Sequence, residues 1–187
     1  HKYETIRMHP IYATAYNADN DGDAIAIYHL HTREATQEAR MNMMFNNRYL
    51  KLAHDLVLGL YYIGVNKPEI TPQVALNAPA FNSKQLILTM LERGDLHPLS
   101  VITYTGETFT KDSGNITSSV GRILWGLFNP PNEDGTLNLD LPPDPKELNG
   151  KLQYIQNNLD ANQLAKFIDG ITELIKYTLK FAGYSAL

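Results

Sequence analysis

Two rhythms of apolar and polar positions run along this chain, and the places where they change mark its elements. Residues 5–16 are rich in β-branched and aromatic types and predict extended structure, interrupted by Pro10. A polar knot follows, Asn17-Ala18-Asp19-Asn20-Asp21-Gly22-Asp23, and then a short apolar run, Ala24-Ile25-Ala26-Ile27-Tyr28, that predicts a strand. The knot is therefore expected between two strands. Thr32 reads as an N-cap, and Ala35, Ala39 and Met43 fall at helical spacing, so a helix is expected over 33–51. The dense apolar run 55–63 is compatible with a buried helix or strand. Residues 66–82, with Pro68, Pro72 and Pro79, read as loop.

Ser83 to Arg93 predicts a helix closed by Gly94. Residues 99–109 suggest a strand or hairpin, and 119–128 another apolar segment. Five prolines with Asn, Asp and Gly make 129–146 a linker or surface loop. Beyond it, Leu148, Leu152, Ile155 and Leu159 mark one amphipathic helix; Leu164, Phe167, Ile168, Ile171, Leu174, Ile175, Thr178 and Leu179 mark a longer one, read as core or subunit interface. The elements add up to a mixed α/β chain.

Composition adds limits. The 187 residues suffice for a core of one domain or somewhat more, and an apolar fraction of 43% is that of a globular protein. No run reaches the ~18 apolar residues of a membrane helix, so no membrane partner is expected. The first residues carry no apolar signal segment, and the absence of an initiating methionine suggests a processed or trimmed product. Zero cysteines exclude disulfides and thiolate zinc sites within these residues, which fits the cytosol. A net charge of −4 argues mildly against a free-standing nucleic-acid binder.

The knot is the place for chemistry. Asp19, Asp21 and Asp23 alternate, and carboxylates two apart on an extended backbone share a face. Gly22 lets the backbone curl the third toward the other two. Three carboxylates that close repel one another unless a cation sits among them, and an all-oxygen set selects Mg²⁺ or Ca²⁺ over zinc or copper. A polar turn with exposed acids and a purely structural cation clip remain open beside this reading. A calcium loop of the EF-hand type fails, because its sixth place is Ala24 instead of Gly and its twelfth is Leu30 instead of Glu.

Residues 8–23, ending in Asn17-Ala18-Asp19-Asn20-Asp21-Gly22-Asp23, resemble the N-A-D-F-D-G-D stretch of the largest subunits of cellular RNA polymerases. The likeness continues in order. Glu34-Ala35 and Glu38-Ala39-Arg40 are similar to the E-A-x-x-E-A-R helix of the bacterial β′ subunit. Asp55 to Tyr62 is similar to its Q-D-x-x-L-G-L-Y-Y segment, and Ser119-Val120-Gly121-Arg122 to its T-V-G-R segment. The departures spare the carboxylates: the family's Phe is Asn20, its Met, His and Pro after the motif are Ile25, Tyr28 and Leu30, and its Gln before Asp55 is His54. They suggest a distant branch, with the split polymerase subunits of large bacteriophages as the favoured source.

The resemblance implies the following. Residues 1–31 would be the last part of a double-psi β-barrel carrying the metal loop, 32–128 a helix-rich region, 129–146 a linker, and 147–187 a helical segment leading toward a bridge helix. The activity would be DNA-directed RNA synthesis by a two-metal Mg²⁺ mechanism, with Asp19, Asp21 and Asp23 as catalytic metal ligands. Asn17 would contact the sugar of the reacting nucleotide; from the residues alone, a turn-stabilising role for its amide is equally open. Partners would be a β-type chain, the remaining β′-type fragments, a DNA template, the RNA product and nucleoside triphosphates. The location would be the cytoplasm of a bacterial host, or a virion that carries the enzyme. A compact two-barrel polymerase of the silencing type shares a D-x-D-G-D loop, but the 59–62 and 120–122 segments argue against it. Arg40 reads as a surface ion pair rather than a phosphate contact, Arg122 as an internal salt bridge, and His54 as packing.

Overall fold

The computed structural model describes residues 6–7, 16–18, 22–43, 54–106 and 115–183. The chain divides into two compact units, His1–Ala53 and His54–Leu187. The first unit contains helix α1, Arg33–Glu38, which continues as a π-helical turn over Ala39–Met43. Thr32 caps α1 as its position predicts: its Oγ1 accepts the Ala35 amide at 3.1 Å. The strand expected over 24–28 does not form. Residues 22–31 have no regular structure. Among the described residues no strand lies beside them, and an apolar alternation becomes a strand only when another backbone supplies its ladder. Most of 5–16, and residues 44–51 of the helix expected over 33–51, lie outside the described residues.

The second unit packs helices on a small sheet. Its elements are α2 (His54–Val65), α3 (Pro72–Asn77), β1 (Ala80–Phe81), α4 (Lys84–Arg93), β2 (Val101–Tyr104), β3 (Ile116–Ser119), α5 (Val120–Phe128), α6 (Pro145–Asn158) and α7 (Ala161–Ala182). The sheet order is β1-β2-β3. β1 runs parallel to β2 with Ala80 opposite Thr103, and β2 runs antiparallel to β3 with Thr103 opposite Thr117, their hydroxyls 2.9 Å apart.

Local chemistry sets the helix ends. Ser83 caps α4 through its Oγ, and Gly94 closes it at φ 87°, a conformation open to glycine. Asp160 and Gln163 form a reciprocal capping box at the start of α7, and Gly183 ends it at φ 76°. The proline-bearing stretch 66–82 departs from the expected loop: Pro72 occupies the first turn of α3, where its missing N–H costs nothing, and Thr71 caps it. The run 55–63 is resolved as helix, and 119–128 becomes helix α5.

Two glycines let the helices meet. A Cβ on Gly59 of α2 would lie 2.8 Å from Ile175 Cγ2 of α7. One on Gly121 of α5 would lie 2.9 Å from Ile63 Cγ2 of α2. Around these contacts Leu60, Ile63, Leu124, Trp125, Leu152, Phe167 and Leu174 are buried. The stripe read from Leu164 to Leu179 is core throughout.

Residues 129–146, expected as a linker, form no regular element before α6 but are packed. Leu137 and Leu141 are buried; the Trp125 indole donates to the Asp140 carbonyl at 3.0 Å, and Lys151 Nζ reaches Asn138 Oδ1 at 3.0 Å. The segment trades regular structure for side-chain donors that satisfy its carbonyls.

Candidate metal centre

The loop that carries the carboxylates begins in a turn. Asn17 has φ 50°, the left-handed region that a non-glycine residue seldom enters and that asparagine tolerates best. Gly22 follows at φ 110°, where a side chain would strain the backbone. These two residues bracket Ala18 to Asp21. Gly22 thus holds a backbone conformation that a residue with a side chain rarely adopts, in keeping with its place between two aspartates.

Asp23 is exposed, in irregular backbone, directly after that glycine. Asn17 is exposed in its turn, so its amide is accessible to a ligand, and its left-handed backbone equally fits the turn-stabilising role. Asp19 and Asp21 lie outside the described residues. Among the described residues no three His, Cys, Asp or Glu side chains gather as metal ligands. What the sequence of the loop offers is an oxygen-only donor set with a positive-φ glycine within it. That chemistry fits a hard divalent cation, with no imidazole or thiolate to favour zinc.

The other residues singled out from the sequence fall elsewhere. Arg122 is 7% exposed and belongs to the core of the second unit. Among the described residues it does not form the internal salt bridge expected: its guanidinium donates to the carbonyl of Gly64 at 2.8 Å and of Leu139 at 3.1 Å. Burial lowers its pKa, and the charge of Asp140 opposes that shift. Helix α2 ends just where Arg122 captures Gly64, so the arginine serves as a remote cap for carbonyls that lack an intrahelical partner. Nothing in the spacing of the sequence signals this, because the partner lies 58 residues away. The His54 side chain lies outside the described residues. Arg40 is exposed and, among the described residues, has no ion-pair partner, contrary to the expectation for it.

No helix of the described residues is long and apolar enough to cross a membrane.

Comparison with known proteins bears on the whole chain. Residues 1–45 match the family model described as RNA polymerase Rpb1, domain 2. The β′ subunit of the DNA-directed RNA polymerase of Staphylococcus epidermidis is 31% identical over 202 residues, covering 95% of this chain and 16% of that subunit. The corresponding subunit of Anaplasma marginale is 32% identical over 151 residues, covering 73% of this chain and 10% of its own length. That of Lachnoclostridium phytofermentans is 28% identical over 203 residues, covering 96% and 16%. The chain spans about a sixth, or less, of the curated relatives it matches. With the aspartate loop inside the matched family model and the similarity running on through the second unit, the chain belongs to the β′-type largest subunits of DNA-directed RNA polymerase.

Proposed function

We propose that this chain is the catalytic-centre portion of a DNA-dependent RNA polymerase, and that Asp19, Asp21 and Asp23 hold the Mg²⁺ used in nucleotide addition. The observation that carries this reading is the D-x-D-G-D loop, lying within the residues that match the family model and with Gly22 at a positive φ. Residues 1–31 would complete a double-psi β-barrel with strands from other chains, followed by the helix-rich region 32–128, the stretch 129–146 and the helical segment 147–187. A Mg²⁺ bound there would neutralise charge at the reacting phosphate and lower the pKa of the RNA 3′-hydroxyl, with a second ion arriving with the nucleotide. The chain's own contribution is to position: the carboxylates fix the ion, and Asn17 presents its amide to a ribose hydroxyl.

The partners in this reading are a β-type chain, further β′-type segments, template DNA, RNA and nucleoside triphosphates. The exposed apolar side chains of the first unit, Ile27 and Tyr28 at 78% and 83% exposure, support an obligate place in an assembly. The departures at Asn20, Ile25, Tyr28 and Leu30 favour a split subunit of a bacteriophage enzyme; the chains that co-purify with it test that source.

The test of function is Asp21→Ala in the reconstituted complex. Primer extension is expected to fall by about 100-fold or more, as when an electrostatic element of a transition state is removed, while assembly and DNA binding persist. An elongation rate above about a tenth of the unmodified enzyme's would overturn the assignment. The unmodified chain without its partners is expected to make no RNA in the same assay.

A further inference from the structure

Helix α1 and the π-helical turn after it carry two kinds of charge on separate faces. Arg33, Thr36, Gln37 and Arg40 follow the 3.6-residue turn down one side, and Glu34 and Glu38 lie on another. The spacing explains why neither arginine is paired along the helix. Positions three and four from Arg33 are Thr36 and Gln37, and the same two residues precede Arg40 at those distances. Among the described residues neither guanidinium has a carboxylate at contact distance.

This basic side, together with Leu30, His31 and Thr32, lines a cleft of about 560 Å³. Among the described residues no acidic side chain lines the cleft. Thr32 and Thr36 are already engaged, the first accepting the Ala35 amide and the second donating to the Thr32 carbonyl at 2.9 Å. His31 meets His29 edge-on, with their Nδ1 atoms 3.2 Å apart, which leaves the His31 Nε2 as its remaining ring nitrogen. The free donors are therefore the two guanidinium forks, with the Gln37 amide in only a 4.0 Å contact with Met41 Sδ.

We infer that this cleft binds consecutive phosphate groups, through Arg33 and Arg40 with His31 and Gln37 as auxiliary donors. Seven helical residues separate the arginines by roughly 10 Å along the axis. A single carboxylate engages one of them; a polyanion whose charges recur along its length engages both. Guanidinium forks match phosphate oxygens two at a time, and they hold their charge at every pH of interest. With −4 on the whole chain and Glu34 and Glu38 on the other side of the helix, an anion would be drawn here only by short-range contact with these two guanidinium groups. Two sources carry such phosphates, a nucleic-acid strand and a nucleoside polyphosphate. The inference goes beyond the metal loop and does not depend on it.

The experiment uses the full chain, or the reconstituted complex where the chain alone does not stay monodisperse, in EDTA so that no metal bridges phosphate to the aspartates. Fluorescence anisotropy with a labelled single-stranded DNA 12-mer and competition by ATP and by inorganic tripolyphosphate are measured across a salt series. Arg33→Ala/Arg40→Ala is expected to weaken binding about tenfold or more, the scale of lost hydrogen bonds to a charged group. For the strand, it should also flatten the slope of log affinity against log salt by about 1.4, since two phosphate contacts at about 0.7 each are lost. Loss confined to the oligonucleotide identifies a strand, and loss confined to ATP and tripolyphosphate identifies a nucleotide; either supports the site. Arg33→Lys/Arg40→Lys, which keeps the charge and the fold, should recover part of the affinity and the full slope. Unchanged binding of every probe in the alanine variant, no binding by the unmodified protein at low salt, or an equal loss in Glu34→Gln/Glu38→Gln would each overturn the inference. None of these outcomes bears on Asp21→Ala, which is read by catalysis with metal present.

Discussion

The two units of this chain are built on opposite terms. In the second, Trp125, Leu60, Ile63 and Leu124 are fully enclosed, and helix contacts tighten to the point where only glycine fits at 59 and 121. In the first, no described residue is buried, and Ile25, Ile27, Tyr28 and Leu30, which follow the proposed metal loop in the chain, stand exposed. The difference teaches where stability and chemistry reside. The second unit carries its own hydrophobic driving force, so its fold is insured against single surface changes. The first carries carboxylates, a positive-φ glycine and apolar side chains that no described residue buries.

The largest effect should come from breaking the core side of this contrast. Trp125→Ala removes a fully buried indole, its edge-to-face contact with Phe167 and its bond to the Asp140 carbonyl, and should destabilise the fold by about 3–5 kcal/mol. Ile27→Ala, a truncation in the first unit, should change the same denaturation midpoint by less than about 0.5 kcal/mol. Comparable losses from the two variants would erase the distinction between the units.

Arg122→Ala sharpens the contrast on polar ground. It strips the Gly64 and Leu139 carbonyls of their donors inside the core and should cost about 3 kcal/mol, read by chemical denaturation. Arg122→Lys should recover only part of it, because a single ammonium cannot fork to two carbonyls in the same geometry. Gly59→Val should follow at about 2 kcal/mol, as its side chain would meet Ile175 where α2 and α7 touch.

The smallest effect concerns the turn at Asp134 in the packed loop. The Thr136 amide and hydroxyl both donate to its carboxylate, at 2.9 and 2.7 Å, and hold its pKa below the usual carboxylate range. A depressed folded pKa means that this contribution is fully present above the ordinary carboxylate value and is lost as pH falls through the lowered one. Acidification should therefore release the Thr136 amide in an NMR titration while the core resonances stay in place, and raising the pH above neutral should leave it unchanged.

What the sequence determined by itself was local. The cap at Thr32, the helix start at Ser83, the stop at Gly94 and the stripe from Leu164 to Leu179 could be read because each depends on atoms within a few residues. The aspartate motif and the glycine within it were legible for the same reason. Tertiary structure decided whatever needed a distant partner. Ala24 to Tyr28 alternates like a strand yet forms none, since the ladder has to come from another backbone. The proline-bearing stretch 129–146 reads as a linker but is held by Arg122, Trp125 and Lys151, whose donors no periodicity announces. Arg122 looked like half of an ion pair because charge is visible in a sequence. Its true partners are backbone carbonyls, which every residue possesses, so only the folded chain selects which of them it meets.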